Sequence, residues 1–304
     1  MRTGDNRDSA RRAFRLGGLL LVLLLVAACS GRRATAYQYN WSIFFDSLFA
    51  PDPRIIRGVI LTVSIAVTSQ VIGVVLGVLG ALGRLSRVGP IRWTANIYVW
   101  IFRGTPLLVQ IMIIYYGLLN TNIFRWDDIS IGGFTIEGSW QAGIFALGLN
   151  EGAYMTEIVR AGIISIDPGQ LEAARSLGMT YGTAMRRIVL PQAARVIVPP
   201  LGNEFNNMLK TTSLLVIISV PELFVTFSIL NGNGPTSFHP FELFLACAVW
   251  FLLLTTIWSI IQARIEQRLA RGTPGAPAPS GPGLAARLFG FRNSEAGAST
   301  AGTH

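Results

Sequence analysis

An integral membrane protein built of α-helices is the fold class that these 304 residues predict. Three observations carry it. Hydrophobic residues make up 51% of the chain and charged residues only 13%, where soluble domains carry about 25% charge. The apolar residues gather into six runs, near residues 14–28, 55–83, 91–119, 140–166, 196–215 and 241–261. Repeated runs of this kind suit a bilayer core of roughly 30 Å, and with no water to satisfy backbone groups they must be helical. The third observation is where the cations sit.

All but one of the cations are arginine, and they fall mainly in alternate loops. Five precede the first run (Arg2, Arg7, Arg11, Arg12, Arg15) and three flank the start of the third (Arg84, Arg87, Arg92). Four lie between the fourth and fifth runs (Arg175, Arg186, Arg187, Arg195), and five follow the last (Arg264, Arg268, Arg271, Arg287, Arg292). The opposite loops hold Arg32, Arg33, Arg54, Arg57 and Arg125, so the count is seventeen against five. That is a positive-inside bias, and it places both termini and the loop at 166–195 in the cytoplasm. The net charge of +9 is therefore a topology signal and needs no nucleic acid.

Residues 1–31 combine a basic start, a Leu-rich stretch at 19–25 and small residues before Cys29. This suits an uncleaved anchor helix and a signal peptide alike. Val26, Ala27, Ala28, Cys29 and Ser30 resemble a lipoprotein cleavage site, which would leave a lipidated Cys29. Residues 32–54, with Trp41, Phe44 and Phe45, are expected to rest on the extracytoplasmic surface. Five helices follow within 55–265. The outer loop at 121–137 carries Trp126, Asp127 and Asp128, read as an aromatic belt and a polar turn. Residues 266–304, rich in Pro and Gly, are expected to be a disordered cytoplasmic tail. Cys247 reads as a small buried hydrophobe. The Gly-rich stretches, such as 73–83, lie in apolar runs where small residues serve close helix packing.

The cytoplasmic loop at 166–195 is the most informative segment. Asp167 and Pro168 suit the N-cap and first position of a short helix. Leu171, Ala174 and Leu177 or Gly178 repeat at helical spacing, Gly178 ends or bends the helix, and Pro191 marks a break before the next span. Ala173, Ala174 and Gly178 leave little bulk, so another protein can approach closely, and Glu172 and Arg175 supply charge for the contact. Glu172, Ala173 and Ala174, then Gly178 after three residues, then Ile188, Leu190 and Pro191 after nine more, make seven fixed residues over twenty positions.

This pattern resembles the EAA loop of ABC-importer permeases, the element that docks on the ATP-hydrolysing subunit. Further stretches resemble the polar amino-acid branch of that family: residues 103–110 (Arg103, Gly104, Thr105, Pro106 through Gln110), Gly152 to Tyr154, Glu157 to Gly162, Leu201 to Phe205, Lys210 to Leu214, and Val220 to Leu223. In order and spacing they cover about 55–265. The chain departs from the family at Thr211, where an Asp is expected, and at Glu151, where a small or neutral residue is usual. Both fall near the substrate path and leave the fold untouched. The resemblance implies a type I ABC-importer transmembrane domain, with five core helices preceded by one N-terminal hydrophobic segment, in the bacterial cytoplasmic (inner) membrane. It implies an ABC ATPase subunit, a second permease subunit (identical or homologous) and an extracytoplasmic amino-acid-binding protein as partners.

Charged residues within spans face a cavity or a partner. Arg103, Glu157, Arg160, Glu204 and Lys210, the only lysine, lie within or at the edges of such runs. Arg103, Pro106 or Leu107, and Gln110 are expected to share a helix face, with Pro106 as a hinge. Glu151, Tyr154 and Ile158 share another, and Asn203, Asn206 or Asn207, and Lys210 make a polar stripe. Arg103, Pro106, Gln110, Glu151, Tyr154, Glu157, Asn203 and Lys210 are the candidates for hinge and substrate path. A zwitterion needs donors and acceptors away from water. The rival reading makes Glu157–Arg160 and Glu204–Lys210 internal salt bridges.

The sequence carries no Gly-rich phosphate loop followed by Lys and Ser/Thr, so ATP is expected on the partner subunit and no cofactor on this chain. His239 and His304 are the only histidines. Together with Cys29 and Cys247 they make no metal cluster or disulfide framework, and no nucleophile elbow is present. The chain is thus expected to be non-catalytic. A secondary transporter, which usually shows repeated halves, and a permease for other small polar solutes such as opines are the alternatives.

Overall fold

The computed structural model describes residues 37–117, 125–232 and 236–270. The expected anchor or signal segment, Cys29 and the tail from 271 lie outside these residues. By compactness the chain divides after Ser42. The short first part holds the rings of Tyr37, Tyr39 and Trp41, Tyr39 meeting Tyr37 at 5.0 Å and Trp41 at 5.9 Å. The helices are α1 (Trp41–Phe49), α2 (Pro53–Leu85), α3 (Gly89–Gly104), α4 (Leu107–Met112), α5 (Gly138–Ile164), α6 (Pro168–Ser176), α7 (Tyr181–Ala184), α8 (Leu190–Thr211), α9 (Leu223–Gly232) and α10 (Pro240–Ala270).

Asp52 starts α2. Its carboxylate accepts the backbone N–H of Arg54 at 2.8 Å and the Arg54 guanidinium at 2.8 and 3.0 Å. That side-chain bond pulls the Asp52 carboxyl down to about 2. Among the described residues, α2 and α10 are each long and apolar enough to cross a membrane alone. Two further candidates are bent pairs: α3 with α4 extended to Gly117 at 107°, and the helical stretch 181–218 with α9 at 47°. The helix α5, of 27 residues, is not among them; it carries Asn150, Glu151, Glu157 and Arg160.

The pairing of α2 with α5 organises the core. A Cβ at Gly73 would sit 2.5 Å from Cγ of Glu151, and one at Gly148 would sit 2.7 Å from Cγ2 of Ile72. Gly77 faces Met155 and Gly152 faces Leu76, so residue numbers rise together and the two helices run parallel. The glycines expected to serve packing do so here, letting backbones approach without a side chain between them. One apolar cluster joins Ile65 and Ala66 of α2 to Ala146 and Leu147 of α5 and Phe205 and Met208 of α8. A second joins Ile43 of α1, Ile55 of α2, Leu223 and Phe227 of α9, and Leu243 of α10. The expected surface segment thus holds a helix whose Ile43 enters the core, and Trp250 Nε1 donates to the Ser47 carbonyl at 3.1 Å.

Two departures from the sequence reading have local causes. Residues 129–136 form a hairpin of β1 (Ile129–Ile131) and β2 (Phe134–Ile136), closed by Gly132 at φ 59° and Gly133 at φ 84°. Two adjacent positive φ values make the turn whose twist suits a hairpin, and glycine adopts them without cost. Trp126 is held by its own chain: its Nε1 donates to the Ile114 carbonyl at 3.2 Å and its ring meets Phe145. Pro191 does not break the chain's helix. A π-turn (Met185–Val189) leads straight into α8, and the Leu190 N–H reaches the Met185 carbonyl. The proline sits in the first turn of α8, where its missing N–H does least harm.

Candidate functional site

The helix α6 is short, capped at both ends and turned outward. The Asp167 carboxylate accepts the Gly169 N–H at 2.8 Å, and Pro168 occupies the first turn. At the other end Gly178, at φ 81°, donates to the Arg175 carbonyl at 2.9 Å, and Met179 donates to the Ala174 carbonyl at 3.1 Å. These two bonds make a Schellman stop with glycine at the left-handed position. Glu172, Ala173, Arg175 and Gly178 are exposed, but Ala174 is 1% exposed and holds α6 onto its own chain. Leu177 does not continue the inward stripe expected from spacing, being 81% exposed. It is the C-cap residue, past the last helical turn, so the periodicity no longer governs it. The Arg175 guanidinium lies 5.6 Å over the Tyr181 ring, and α6 rests on α7 and the π-turn at the root of α8.

The expected shared face of Arg103, Pro106 and Gln110 is absent, because the helix ends at Gly104 and restarts at Leu107 in a new direction. Thr105 and Pro106 are both extended at the break. A break inside a membrane leaves carbonyls without partners. Gln110, 6% exposed, supplies them: its Nε2 donates to the Phe102 carbonyl at 2.9 Å and to the carbonyl and hydroxyl oxygens of Thr105 at 3.1 and 2.7 Å. Asn150 of α5 donates to the same Phe102 carbonyl and to Oε1 of Gln110, each at 3.0 Å. Gln110 is thus a structural brace at the hinge.

Arg103 ends α3 beside α5. Glu157 gathers three arginines: Arg84, Arg160 at 3.0 Å and Arg103 at 3.6 Å. Arg84 also donates from Nε to the Asn96 side chain, and the Arg103 guanidinium lies 5.1 Å over the Tyr154 ring. The expected Glu157–Arg160 bridge is therefore one edge of a larger cluster. The other expected bridge is missing: among the described residues Glu204 and Lys210 form no ion pair with each other. Six positions apart on a helix, they lie about 120° round its axis. Glu151 is buried at 6% exposure and accepts from Gln70 Nε2 at 3.2 Å. Asn203 is exposed and accepts from Gln262 Nε2 at 3.1 Å. Lys210 is exposed at the end of α8 and lines a cavity of about 340 Å3 with Phe244, Cys247 and Phe251. Asn203, Asn207 and Lys210 do form an exposed stripe. A larger cavity of about 570 Å3, lined by Arg57, Ile60, Ser64, Trp140 and Ile229, touches none of the expected path residues.

The sequence reading gave no site role to several residues that shape the site. Gln70, Asn150 and Arg84 lie in or at the ends of apolar helices, where the cost of polar groups was a usable signal. Glu222 is fully buried: its Oε1 accepts the Val225 N–H at 2.9 Å and its Oε2 the Thr62 hydroxyl, while Thr62 Oγ1 accepts the Leu223 N–H at 3.1 Å. It caps α9, a role that depends on Thr62, 160 positions away.

A family model described as binding-protein-dependent transport system inner membrane component matches residues 73–271. The chain is 36% identical over 241 residues to the arginine transport system permease protein ArgU of Corynebacterium glutamicum, covering 77% of this chain and 73% of that one. It is 36% identical over 209 residues to the nopaline transport system permease protein NocQ of Agrobacterium fabrum, covering 66% and 84%. Among solved structures, it resembles an amino acid ABC transporter crystallised with histidines, at 35% identity and a TM-score of 0.64, over 76% of this chain and 99% of that one.

Proposed function

The chain belongs to the family of binding-protein-dependent transport system inner membrane components, and from that premise we propose that it is the permease subunit of an ATP-driven ABC importer for polar amino acids. The observation that carries the reading is the outward-turned helix α6, rigidly capped by Asp167 and Gly178 and seated on the root of α8. Its exposed Glu172, Ala173, Arg175 and Gly178 form the surface for the ATPase subunit, with Ala174 anchoring it from behind. A push on α6 bears directly on 181–218. Nucleotide drives the change only if the ATPase pair binds its two states differently.

The chain is the non-catalytic partner, with ATP held by the ATPase. A second permease subunit, identical or homologous, completes the path, and an extracytoplasmic binding protein delivers the solute. The α6 loop and the C-terminus face the cytoplasm of a bacterial inner membrane. Arg103, Pro106, Tyr154 and Glu157 form the hinge where α3 ends beside α5. Glu151, Asn203 and Lys210 flank the path, and Gln110 braces it. The test is uptake of labelled basic, acidic, amide and sulfur-containing amino acids by cells with and without this gene, before and after ATP depletion. ATP-dependent loss of one class on deletion supports the reading. The similarity to a nopaline permease favours one second reading, an importer of opines, in which the amino-acid panel is unchanged and nopaline uptake falls.

A further inference from the structure

The larger cavity, of about 570 Å3, is a groove that the coupling and path residues leave untouched. Arg54, Arg57, Leu61, Ser64, Ile65 and Thr68 share the face of α2 that forms its floor. Trp140 and Ile144 of α5 make a second wall, and Thr226 and Ile229 of α9 a third. Arg57, Ser64, Thr68 and Ile229 are exposed, so the groove opens to the surroundings of the helices. The Thr68 hydroxyl donates to the Ser64 carbonyl at 2.8 Å and the Thr226 hydroxyl to the Pro221 carbonyl at 3.3 Å. Those hydroxyls are thus satisfied within the chain, and the remaining wall is mostly aliphatic. No carboxylate lines the groove to answer the ammonium of an amino acid.

Charge is confined to one end. Arg54 is engaged with Asp52, whereas Arg57 is exposed and forms no ion pair among the described residues. On the positive-inside reading of the arginines, this start of α2 is extracytoplasmic. From Arg57 to Thr68 the helix rises about 16 Å. One leaflet of a roughly 30 Å hydrocarbon core is about 15 Å deep. The groove therefore has the depth of a leaflet, an apolar length, and a cation at headgroup level. A guanidinium binds a phosphate through paired hydrogen bonds, and basic pockets between spanning helices suit anionic lipid headgroups.

We propose that this groove holds an anionic phospholipid of the outer leaflet, with its phosphate on Arg57 and an acyl chain along the α2 face from Leu61 to Thr68. The proposal needs α2 to span the bilayer and is independent of which solute is carried. Because α2, α5 and α9 each supply a wall, the lipid bridges three helices of the core at their outer ends.

The test uses the complete transporter in mixed micelles holding equal amounts of phosphatidylglycerol and phosphatidylethanolamine, with bound lipid counted by native mass spectrometry. The expected result is retention of phosphatidylglycerol over phosphatidylethanolamine by about fivefold or more, the effect of one cation near a headgroup. Arg57→Gln, at an exposed position where folding should persist, is expected to bring the two lipids to parity, and Arg57→Lys to keep part of the preference. Ser64→Phe, which fills the groove and leaves Arg57 in place, is expected to lose the bound lipid, while Arg92→Gln, an exposed arginine on α3, behaves as the unaltered protein. Equal retention of the two lipids by the unaltered protein overturns the site, and so does a preference that survives Arg57→Gln or lipid that survives Ser64→Phe. A photocrosslinking residue in place of Ile229, activated in whole membranes, identifies the occupant directly. Adducts with phospholipid support the site; crosslinks to residues 1–36 of this chain or to a second permease subunit overturn it.

Discussion

Gly178 shows how one residue can hold the proposed docking surface in place. Its φ of 81° lies where L side chains are strained, yet a Cβ there would meet nothing within 4 Å. A substitution therefore acts through the backbone and not through a clash, at a cost of roughly 1–2 kcal/mol, greatest for β-branched residues. Gly178→Val is expected to lower both ATPase co-purification and uptake while membrane insertion persists, and Gly178→Asn to be milder because Asn tolerates the left-handed region. Glu172→Lys, which alters charge on the exposed face, is expected to act likewise. Normal uptake in both Gly178→Val and Glu172→Lys would sink the docking assignment. Gln110 illustrates the opposite kind of residue, buried and made necessary by long-range contacts. Replacing it with Leu leaves the carbonyls of Phe102 and Thr105 without its amide and removes an acceptor from Asn150. Unsatisfied buried groups cost about 1–3 kcal/mol each, so thermal unfolding in detergent should occur at a clearly lower temperature than for the unaltered protein. A polar residue in an apolar run marked Gln110 as special. Its role as a brace was not readable, because its partners include Asn150, 40 positions away.

Packing of α2 on α5 turns a stretch of glycines into a tight interface, and here the sequence was a good guide. The spacing of Gly73, Gly77 and Gly80 marks one helix face, and that face meets Glu151, Met155 and Thr156. Gly77→Leu forces a side chain into Met155 and is expected to cost about 1–3 kcal/mol or more by overpacking. Gly89→Leu meets nothing within 4 Å and serves as the control. Melting temperatures and the yield of folded protein should fall for the first and hold for the second; equal behaviour would mean that the α2–α5 contact is not the one described. Other elements were less legible. The 107° turn after Gly104 was foreshadowed by Pro106, but a proline alone fixes neither the angle nor the fate of the freed carbonyls. The α9 helix depends on Glu222 meeting Thr62 in space. The hairpin, by contrast, had a readable signal in alternating Ile129, Ile131, Phe134 and Ile136 around Gly132 and Gly133, masked by the apolarity of its surroundings.

At the scale of the whole chain, the arrangement of charge and the arrangement of function make the same demand. The α6 surface can meet an ATPase only if the loop at 166–195 lies on the cytoplasmic side, which is the side that the positive-inside reading of the arginines proposes independently of any resemblance. On that reading the hairpin, which lies between a span that runs outward and the one that returns, belongs on the opposite side. Single cysteines at Ser176 and Ser130, both exposed and away from the core, separate the two faces. Both residues belong in a background with Cys29 and Cys247 replaced, and a membrane-impermeant thiol reagent is applied to intact spheroplasts and to inverted vesicles. Ser130→Cys is expected to react in spheroplasts and Ser176→Cys only in inverted vesicles. The reverse pattern would place the docking helix outside the cell, where no ATP-hydrolysing partner works, and the coupling reading would fail whatever the uptake data show. The pair of measurements therefore tests more than orientation. A proposed docking helix α6 that rests on the root of the continuous stretch 181–218, which bears Glu204, is in direct packing contact with an element that reaches into the membrane. On the proposed reading, coupling needs no separate relay, because the stretch that supports α6 also carries the path candidates Asn203 and Lys210.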